Sequence, residues 1–240
     1  MVNKDYLTGL ELSPAQTESL IDLALLTKQQ PEKFSTALAG KSIAMLFEKP
    51  SLRTRMSFEV GIHRLGGQAI YLDHKEERIG VRESIADYAK NFSQWVHGIV
   101  ARVYQHDTLT SLAKHASVPV VNALCEKLHP CQALADYLSL KEAFGHLKGL
   151  RLAYVGDGNN VSHSLLLVGA MLGVHVTVLT PDKYPSKQFW LDKSSELAKT
   201  SGGSVRLIHK PMQLGQQDAL YTDTWCQWAK AKVKMRLNGC

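Results

Sequence analysis

Residues 42–55 read SIAMLFEKPSLRTR, in which a short apolar run is followed by a polar loop and the start of a helical pattern. The run at 42–47 has the length and composition of a buried strand, and the next four residues have the character of a loop. The helical pattern continues to Leu65 and ends at Gly66-Gly67, a pair that commonly terminates helices. This stretch therefore predicts one strand, loop and helix unit of an α/β protein.

The same alternation of strand and helix runs along the rest of the chain. The further predicted strands cover residues 68–72, 97–103, 118–122, 152–155, 174–179, 204–208 and 219–222. The other predicted helices cover residues 14–29, 84–94, 108–115, 131–144, 160–172 and 188–200. Because parallel strands need crossover connections, which are normally right-handed helices, this order predicts parallel sheets covered by helices. We expect an α/β protein with two doubly wound parallel-sheet domains.

A second round of strands and helices begins after Gly145-His146-Leu147-Lys148-Gly149. We therefore place one domain at residues 1–145 and another at residues 146–240. The second domain is expected to be incomplete at its C-terminus, because residues 226–240 have an aberrant sequence that is described below.

The composition is that of an ordinary globular protein. The chain has 240 residues, of which 45% are hydrophobic and 17 are glycine. These proportions exclude a disordered chain, a collagen-like repeat and a disulfide-rich miniprotein. No apolar run approaches the roughly 20 residues that span a bilayer, and the N-terminal sequence lacks the apolar core of a signal peptide. We expect a cytoplasmic protein with no membrane partner.

Cysteines and charges favour neither a metal site nor nucleic-acid binding. The four cysteines are irregularly spaced and form no Cys-x-x-Cys pair, so we expect reduced thiols and no zinc site. The net charge is +6, and Lys230, Lys232, Lys234 and Arg236 carry four of the positive charges. Because the positive charge is concentrated near the end of the sequence and few aromatic residues accompany it, we expect no nucleic-acid partner.

Two segments that follow predicted strands of the first domain suit an anion. Ligands of open parallel sheets bind beyond the carboxyl ends of the strands. Ser51, Arg53 and Thr54 begin the helix after the first strand, where hydroxyls, guanidiniums and free N–H groups can hold a phosphate. An N-capped helix with exposed arginines is the alternative. Arg102 lies at the end of the apolar strand 97–103, a position that suits either a cation facing an anion or an arginine whose head reaches water.

Further segments suit a polar small molecule. His129 and Gln132 flank Pro130, which favours a helix start and would let both side chains face one ligand, with helix capping as the alternative. Residues 156–161 read GDGNNV, which lacks the third glycine of a dinucleotide site; the asparagines would bind a polar molecule or form a plain tight turn. Asp223 follows the strand 219–222 and would suit an ammonium group. Together these segments predict a site for two substrates, an anion and a polar, zwitterionic molecule.

Four motifs, in this order along the chain, resemble those of the aspartate/ornithine carbamoyltransferase family. They are Ser51-Leu52-Arg53-Thr54-Arg55, His129-Pro130-Cys131-Gln132, Gly156-Asp157-Gly158-Asn159-Asn160 and Thr222-Asp223-Thr224-Trp225. The last two resemble the ornithine branch rather than the aspartate branch, and the resemblance runs from the N-terminus to Trp225. It implies transfer of a carbamoyl group from carbamoyl phosphate to the δ-amine of ornithine, giving citrulline and phosphate, in arginine biosynthesis or catabolism.

The resemblance also implies roles for individual residues. Those that would bind carbamoyl phosphate are Ser51, the backbone of Leu52, Arg53, Thr54, Arg78, Arg102, His129 and Gln132. Of these, Arg102 and His129 would polarise the carbamoyl oxygen and Gln132 would orient the carbamoyl amine, as catalytic residues. Asn160 would bind the ornithine carboxylate and Asp223 its α-ammonium group. The family works by positioning and electrostatics and typically forms trimers, so we expect a homotrimer with no metal and no cofactor.

Two of these positions depart from the family pattern. Leu52 replaces a threonine, which is acceptable if that position acts through its N–H group. Arg78 lies where a loop of the family reaches the site of a neighbouring subunit, often with Gln or His. Arg78 is therefore the least family-like of the expected contacts.

The last residues depart further from the ornithine branch, which follows Asp-Thr-Trp with x-Ser-Met-Gly and later has a His-Cys-Leu-Pro loop. Residues 225–230 read WCQWAK, encoded TGG TGY CAR TGG GCN AAR. When the reading frame starts at the third base of the first tryptophan codon, the same bases read GTG YCA RTG GGC NAA. These codons allow Val-Ser-Met-Gly-Gln. We infer that one G was lost from a TGG-GTG junction and that residues 226–240 are out of frame, with genuine divergence as the alternative. Such a chain would lack a loop to close on ornithine, and we expect poor solubility and negligible turnover.

Two other functions stay open. Another carbamoyltransferase would use putrescine or an acylated ornithine, since the missing Ser-Met-Gly segment is where acceptor choice would be read. Alternatively, the chain is a non-catalytic carbamoyl-phosphate-binding fragment. A comparison of amine acceptors distinguishes another carbamoyltransferase from one that uses ornithine. Phosphate-competitive binding without turnover would favour the non-catalytic fragment.

Overall fold

The apolar run at residues 42–47 forms a buried strand, and a helix follows it after a four-residue loop, as the sequence predicts. The computed structural model describes residues 4–76 and 78–223. The chain divides into two units, Met1–Ala143 (unit 1) and Phe144–Cys240 (unit 2). Each unit contains a sheet of four parallel strands, which confirms the prediction of two α/β parallel-sheet domains.

Unit 1 alternates helices and strands around its sheet. Its elements are α1 (Pro14–Gln29), β1 (Ser42–Phe47), α2 (Leu52–Arg64), β2 (Gln68–Asp73), α3 (Ile85–Trp95), β3 (Gly98–Arg102), α4 (His106–His115), β4 (Val120–Leu124) and α5 (Pro130–Phe144), with a short 3-10 helix at Pro31–Phe34. The strand order is β2-β1-β3-β4. Successive strands are therefore added on one side of β1 and then on the other, so the direction of winding reverses between β1 and β3.

Unit 2 has the same kind of architecture. Its elements are β5 (Arg151–Val155), α6 (Asn160–Met171), β6 (His175–Leu179), α7 (Gln188–Ser201), β7 (Ser204–Ile208) and β8 (Ala219–Thr222), with a 3-10 helix at Pro211–Gln213. The strand order is β7-β6-β5-β8, and the winding reverses between β5 and β8. Among the helices of the described residues, none has the length and apolar content needed to span a bilayer.

Most element boundaries lie within one residue of the sequence prediction, and two elements differ from it by two residues. The strand predicted at 118–122 lies at Val120–Leu124 because Pro119 has no N–H to donate to the sheet and only its carbonyl is bonded, to the N–H of Ile99. The helix predicted from residue 108 begins two residues earlier, since the N–H of Thr108 already donates to the carbonyl of Gln105.

The core of unit 1 lies beneath β1 and extends to α2, β3 and β4. One buried cluster of this core consists of Met45, Phe47, Ile62, Val100 and Ala123. Apolar burial of this kind is the main favourable contribution to folding and fixes the strands relative to α2. The ends of these strands are thereby held in place.

The N-terminal segment covers the exposed edge of the same sheet. The N–H of Tyr6 donates to the carbonyl of Val120, and the N–H of Asn122 donates to the carbonyl of Tyr6. These bonds satisfy backbone groups that an uncovered edge strand would leave unpaired. They stabilise β4, which leads into the segment carrying His129.

Candidate functional site

The carboxyl ends of the unit 1 strands lie side by side. Phe47 is in register with Asp73 on one side and with Arg102 on the other, and Arg102 is in register with Leu124. The winding reverses between β1 and β3, and ligands of open parallel sheets bind at such a reversal. The segment after β1 and the last residue of β3, Arg102, both lie at this position.

The N-terminus of α2 is capped by Ser51. The N–H of Thr54 donates to Ser51 Oγ at 3.3 Å, and the Ser51 hydroxyl donates to Thr54 Oγ1 at 3.0 Å. A helix leaves its first N–H groups without acceptors inside the helix, and its dipole favours an anion beside them. The side chain of Leu52 is 78% exposed, so this residue offers the site its backbone rather than its side chain.

The guanidinium of Arg102 faces this helix start from β3. Arg102 is only 8% exposed, which excludes the alternative of a surface arginine. Its Nε donates to the carbonyl oxygen of Lys49 at 3.1 Å, and its Nη1 donates to Thr54 Oγ1 at 3.3 Å. Both acceptors are neutral, and Arg102 has no ion-pair partner among residues 4–76 and 78–223. Burial lowers the pKa of Arg102, yet a guanidinium stays protonated at neutral pH, so the site carries a positive charge that no ion pair within the described residues neutralises.

Arg53 and Arg78, the two other arginines predicted to bind the phosphate, lie in segments that border the start of α2 and the end of β3. Arg53 is exposed in the first turn of α2. The Arg78 guanidinium carbon lies 4.7 Å from the centre of the Tyr104 ring, two residues beyond Arg102. Tyr104 therefore gives Arg78 a cation–π contact within its own chain. Both arginines add positive potential to the carboxyl end of the sheet.

His129 directly precedes α5 and Gln132 lies in its first turn, with Pro130 as the first helical residue, one residue before the predicted helix start. Both are half-buried. Gln132 Nε2 donates to Asp136 Oδ1 at 2.9 Å, one turn further along the helix. The structure thus brings Ser51, Thr54 and Arg102 into direct contact and places His129 and Gln132 after the neighbouring strand.

Cys131 anchors the start of α5 to β4. Its thiol donates to the carbonyl oxygen of Asn122 at 3.4 Å, and burial raises the pKa of this thiol to about 12. The sulfur therefore stays protonated at neutral pH and serves as a structural contact, because only the thiolate is a good nucleophile or metal ligand.

In unit 2 the reversal of winding lies between β5 and β8, and Asn159 joins these two strands. Asn159 Oδ1 accepts from the N–H groups of Val161 and Ser162 at 2.9 and 3.0 Å, which caps α6. Its Nδ2 donates to Asp223 Oδ2 at 3.0 Å. Asn160, the predicted ligand, is the half-buried first residue of α6. Neither the cap nor the bond from Asn159 to Asp223 is part of the sequence prediction, although the preference of asparagine for helix N-caps marks the position.

Gly158 is required for close packing rather than for a dinucleotide. A side chain at this position would overlap the backbone of Pro185 and Ser186. The N–H of Gly158 donates to the carbonyl of Tyr184 at 2.8 Å. The two glycines of GDGNNV thus belong to a packed turn that presents the asparagines. Residues 224–240, including the end of the fourth motif and the predicted aberrant tail, lie outside the described residues.

A further polar residue at the unit 1 site, Glu48, is absent from the sequence prediction. It follows β1 directly and is 2% exposed. Its carboxylate accepts from the N–H groups of Ile79 at 3.0 Å and Tyr104 at 2.9 Å. An acidic residue directly after an apolar strand could have indicated this position in the sequence. Carboxylates are seldom fully buried unless they are paired, so such a residue is expected to have bonding partners.

Comparisons with known proteins agree with this architecture. Residues 4–142 match the family model described as the aspartate/ornithine carbamoyltransferase carbamoyl-P binding domain, and residues 148–238 match that of the Asp/Orn binding domain. The chain is 47% identical to an ornithine carbamoyltransferase of Moritella abyssi over 223 residues, which are 92% of this chain and 74% of that protein.

Solved structures give the same result. The ornithine carbamoyltransferase of Pyrococcus furiosus superposes with a TM-score of 0.92 at 40% identity, over 98% of this chain and 76% of that one. The Thermus thermophilus ornithine carbamoyltransferase gives a TM-score of 0.85 at 46% identity, over 95% and 76%. The resemblance seen in the four motifs is therefore confirmed, and the chain belongs to the aspartate/ornithine carbamoyltransferase family.

Proposed function

We propose that this protein transfers the carbamoyl group of carbamoyl phosphate to the δ-amine of ornithine. The neutral amine attacks the carbamoyl carbon, the bond from that carbon to the phosphate oxygen breaks, phosphate leaves and the new amide nitrogen loses a proton, which gives citrulline. The observation that carries the proposal is the buried Arg102 guanidinium, whose hydrogen-bond acceptors among the described residues are neutral and lie at a capped helix start. The names of the similar proteins support ornithine as the acceptor.

Unit 1 would bind carbamoyl phosphate. The phosphate would accept hydrogen bonds from the hydroxyls of Ser51 and Thr54, from the N–H groups of Leu52 and Arg53 and from the side chain of Arg53, with Arg78 nearby. These groups surround a helix N-terminus, where N–H groups and the helix dipole together favour a phosphate.

The carbamoyl group would lie between the strands that end at Arg102 and Leu124. Arg102 and His129 would donate to its oxygen, and Gln132 Oε1 would accept from its amine while Gln132 Nε2 keeps its bond to Asp136. Negative charge grows on the carbamoyl oxygen as the amine attacks, so donors placed in advance lower the barrier.

Unit 2 would bind ornithine. Asn160 would donate to the carboxylate, and Asp223 would accept from the α-ammonium group. The bond from Asn159 to Asp223 holds this carboxylate in one orientation before the substrate arrives. Fixing the carboxylate and the α-ammonium group of ornithine leaves its δ-amine as the free nucleophile, which is catalysis by positioning.

We further propose that the protein is a cytoplasmic homotrimer that acts in arginine metabolism. An exposed apolar stripe on α2, formed by Leu52, Met56 and Val60, supports assembly with a second copy. Residues four apart lie on the same helix face. Equilibrium sedimentation should give three times the chain mass of 26.6 kDa, and a monomer at all concentrations would contradict assembly.

The out-of-frame tail at 226–240 is proposed to impair turnover. The test compares two proteins: the 240-residue chain and the product of the same gene with one G restored after the tryptophan codon. Citrulline formation is measured with ornithine, N-acetylornithine and putrescine as acceptors. The restored protein should use ornithine, and the 240-residue chain should be far slower.

Each other outcome corrects one part of the proposal. Preference of the restored protein for another amine would replace ornithine as the acceptor. Carbamoyl phosphate binding without turnover by both proteins would favour a non-catalytic binding role. Equal turnover by both proteins would show that the tail is harmless.

A further inference from the structure

The Glu48 carboxylate is bonded to two backbone segments beside the anion site and is linked through one of them to a third. Glu48 Oε1 accepts from the N–H of Ile79, and Glu48 Oε2 accepts from the N–H of Tyr104. The residue is 2% exposed. A carboxylate loses its hydration when it is buried, and two hydrogen bonds from backbone N–H groups offset part of that loss.

The bonds from Ile79 and Tyr104 to Glu48 lie next to residues that would contact carbamoyl phosphate. Ile79 is preceded by Arg78, whose guanidinium lies over the ring of Tyr104. The backbone of Glu48 is bonded as well, since its N–H donates to the carbonyl of Arg102 at 2.9 Å. The next carbonyl, of Lys49, accepts from Arg102 Nε at 3.1 Å. Glu48 is therefore linked to both the backbone and the side chain of Arg102.

The third segment precedes α5. The carbonyl of Tyr104 accepts from the N–H of Glu126 at 3.0 Å, three residues before His129. The bond from Glu48 to Tyr104 thereby extends to the segment that carries His129. Hydrogen-bonded networks of this kind hold a site rigidly when every member has a partner.

We propose that Glu48 is a positioning residue that holds Arg78, Arg102 and the segment before His129 in the geometry that binds carbamoyl phosphate. This inference rests on the proposed function of unit 1. Glu48 itself does not contact the substrate. Its effect reaches the substrate through the N–H groups of Ile79 and Tyr104.

The first test uses the unaltered 240-residue chain and inorganic phosphate. Phosphate should slow hydrogen exchange at the amides of Ile79 and Tyr104 by a similar factor, because both donate to the same carboxylate. Binding that leaves the exchange of both amides unchanged would overturn the inference.

The second test replaces Glu48 by Gln, which keeps one acceptor oxygen and exchanges the other for a donor. Phosphate binding, measured by calorimetry, should weaken about tenfold, the size expected when one charge-assisted hydrogen bond is lost. Glu59→Gln is the matched control because Glu59 lies on α2 and pairs only with Arg55 among the described residues, 3.0 Å away. The control should bind phosphate like the unaltered chain.

The outcomes separate this inference from the proposed function. A Glu48→Gln protein that melts at a lower temperature yet binds phosphate normally would show a purely structural role and overturn the inference alone. An unaltered chain that binds neither phosphate nor carbamoyl phosphate would overturn the proposed function of unit 1 together with it.

Discussion

Asn159 Nδ2 donates to Asp223 Oδ2 across 3.0 Å and so joins the segment after β5 to the residue that follows β8. Unit 1 has an equivalent link, in which Arg102 at the end of β3 donates to Thr54 after β1. In both units the bond spans the two strands between which the winding reverses. Each sheet thus prepares polar groups at the position where open parallel sheets bind ligands.

Asn159→Ser should separate helix capping from the orientation of Asp223. Serine is as good an N-cap as asparagine, so the free energy of unfolding should change by less than about 0.5 kcal/mol. Serine is too short to donate to Asp223, and ornithine binding measured by calorimetry should weaken about tenfold. Unchanged ornithine affinity would show that Asp223 needs no help from Asn159.

Arg102→Met should remove anion binding without loss of stability. The substitution replaces a buried cation, whose acceptors among the described residues are neutral, by an unbranched apolar side chain, so the melting temperature without ligand should stay the same or rise. Phosphate should raise the melting temperature of the unaltered chain, because it binds the folded state, and should have no effect on the variant. Arg64→Ala, on the exposed last turn of α2, is the control and should respond to phosphate normally.

Ser51→Ala and Ser13→Ala form a matched pair of helix-cap variants. Ser51 caps α2 at the anion site, and Ser13 caps α1 as part of a capping box. Each should cost about 1 kcal/mol in the free energy of urea unfolding. Only Ser51→Ala should also weaken phosphate binding, so equal phosphate affinity of the two variants would contradict a role of Ser51 in the site.

Asp218 should make the stability of unit 2 depend on pH in acid. The hydrogen bonds from the side chain and the N–H of Arg151 lower the pKa of Asp218 from 3.8 to about 2. A carboxyl whose pKa is lower in the folded state stabilises the protein above its unfolded pKa and loses that effect as pH falls through the folded pKa. The difference in unfolding free energy between the unaltered chain and Asp218→Asn should therefore be constant above about pH 5 and shrink toward pH 2. A difference that stays constant down to pH 2 would contradict this.

The sequence predicts those parts of the fold that depend on neighbouring residues. The apolar run 42–47, the cap at Ser51 and the start of α5 at Pro130 are local patterns, and each appears in the structure. The two-sheet architecture follows from the regular alternation of strand and helix. These features need no knowledge of which strands are adjacent.

The missed features depend on contacts between distant parts of the chain. Glu48 bonds N–H groups 31 and 56 residues away, and Asn159 bonds Asp223 64 residues away. Such pairs form only once the strand order has brought their segments together.

The most direct test of the central claim is a calorimetric titration of the 240-residue chain with carbamoyl phosphate. We predict saturable binding of one molecule per chain, weakened by competing inorganic phosphate and abolished by Arg102→Met. Absence of saturable binding, or binding of equal strength by the Arg102→Met variant, would contradict the assignment of the carbamoyl phosphate site to the carboxyl ends of β1 and β3.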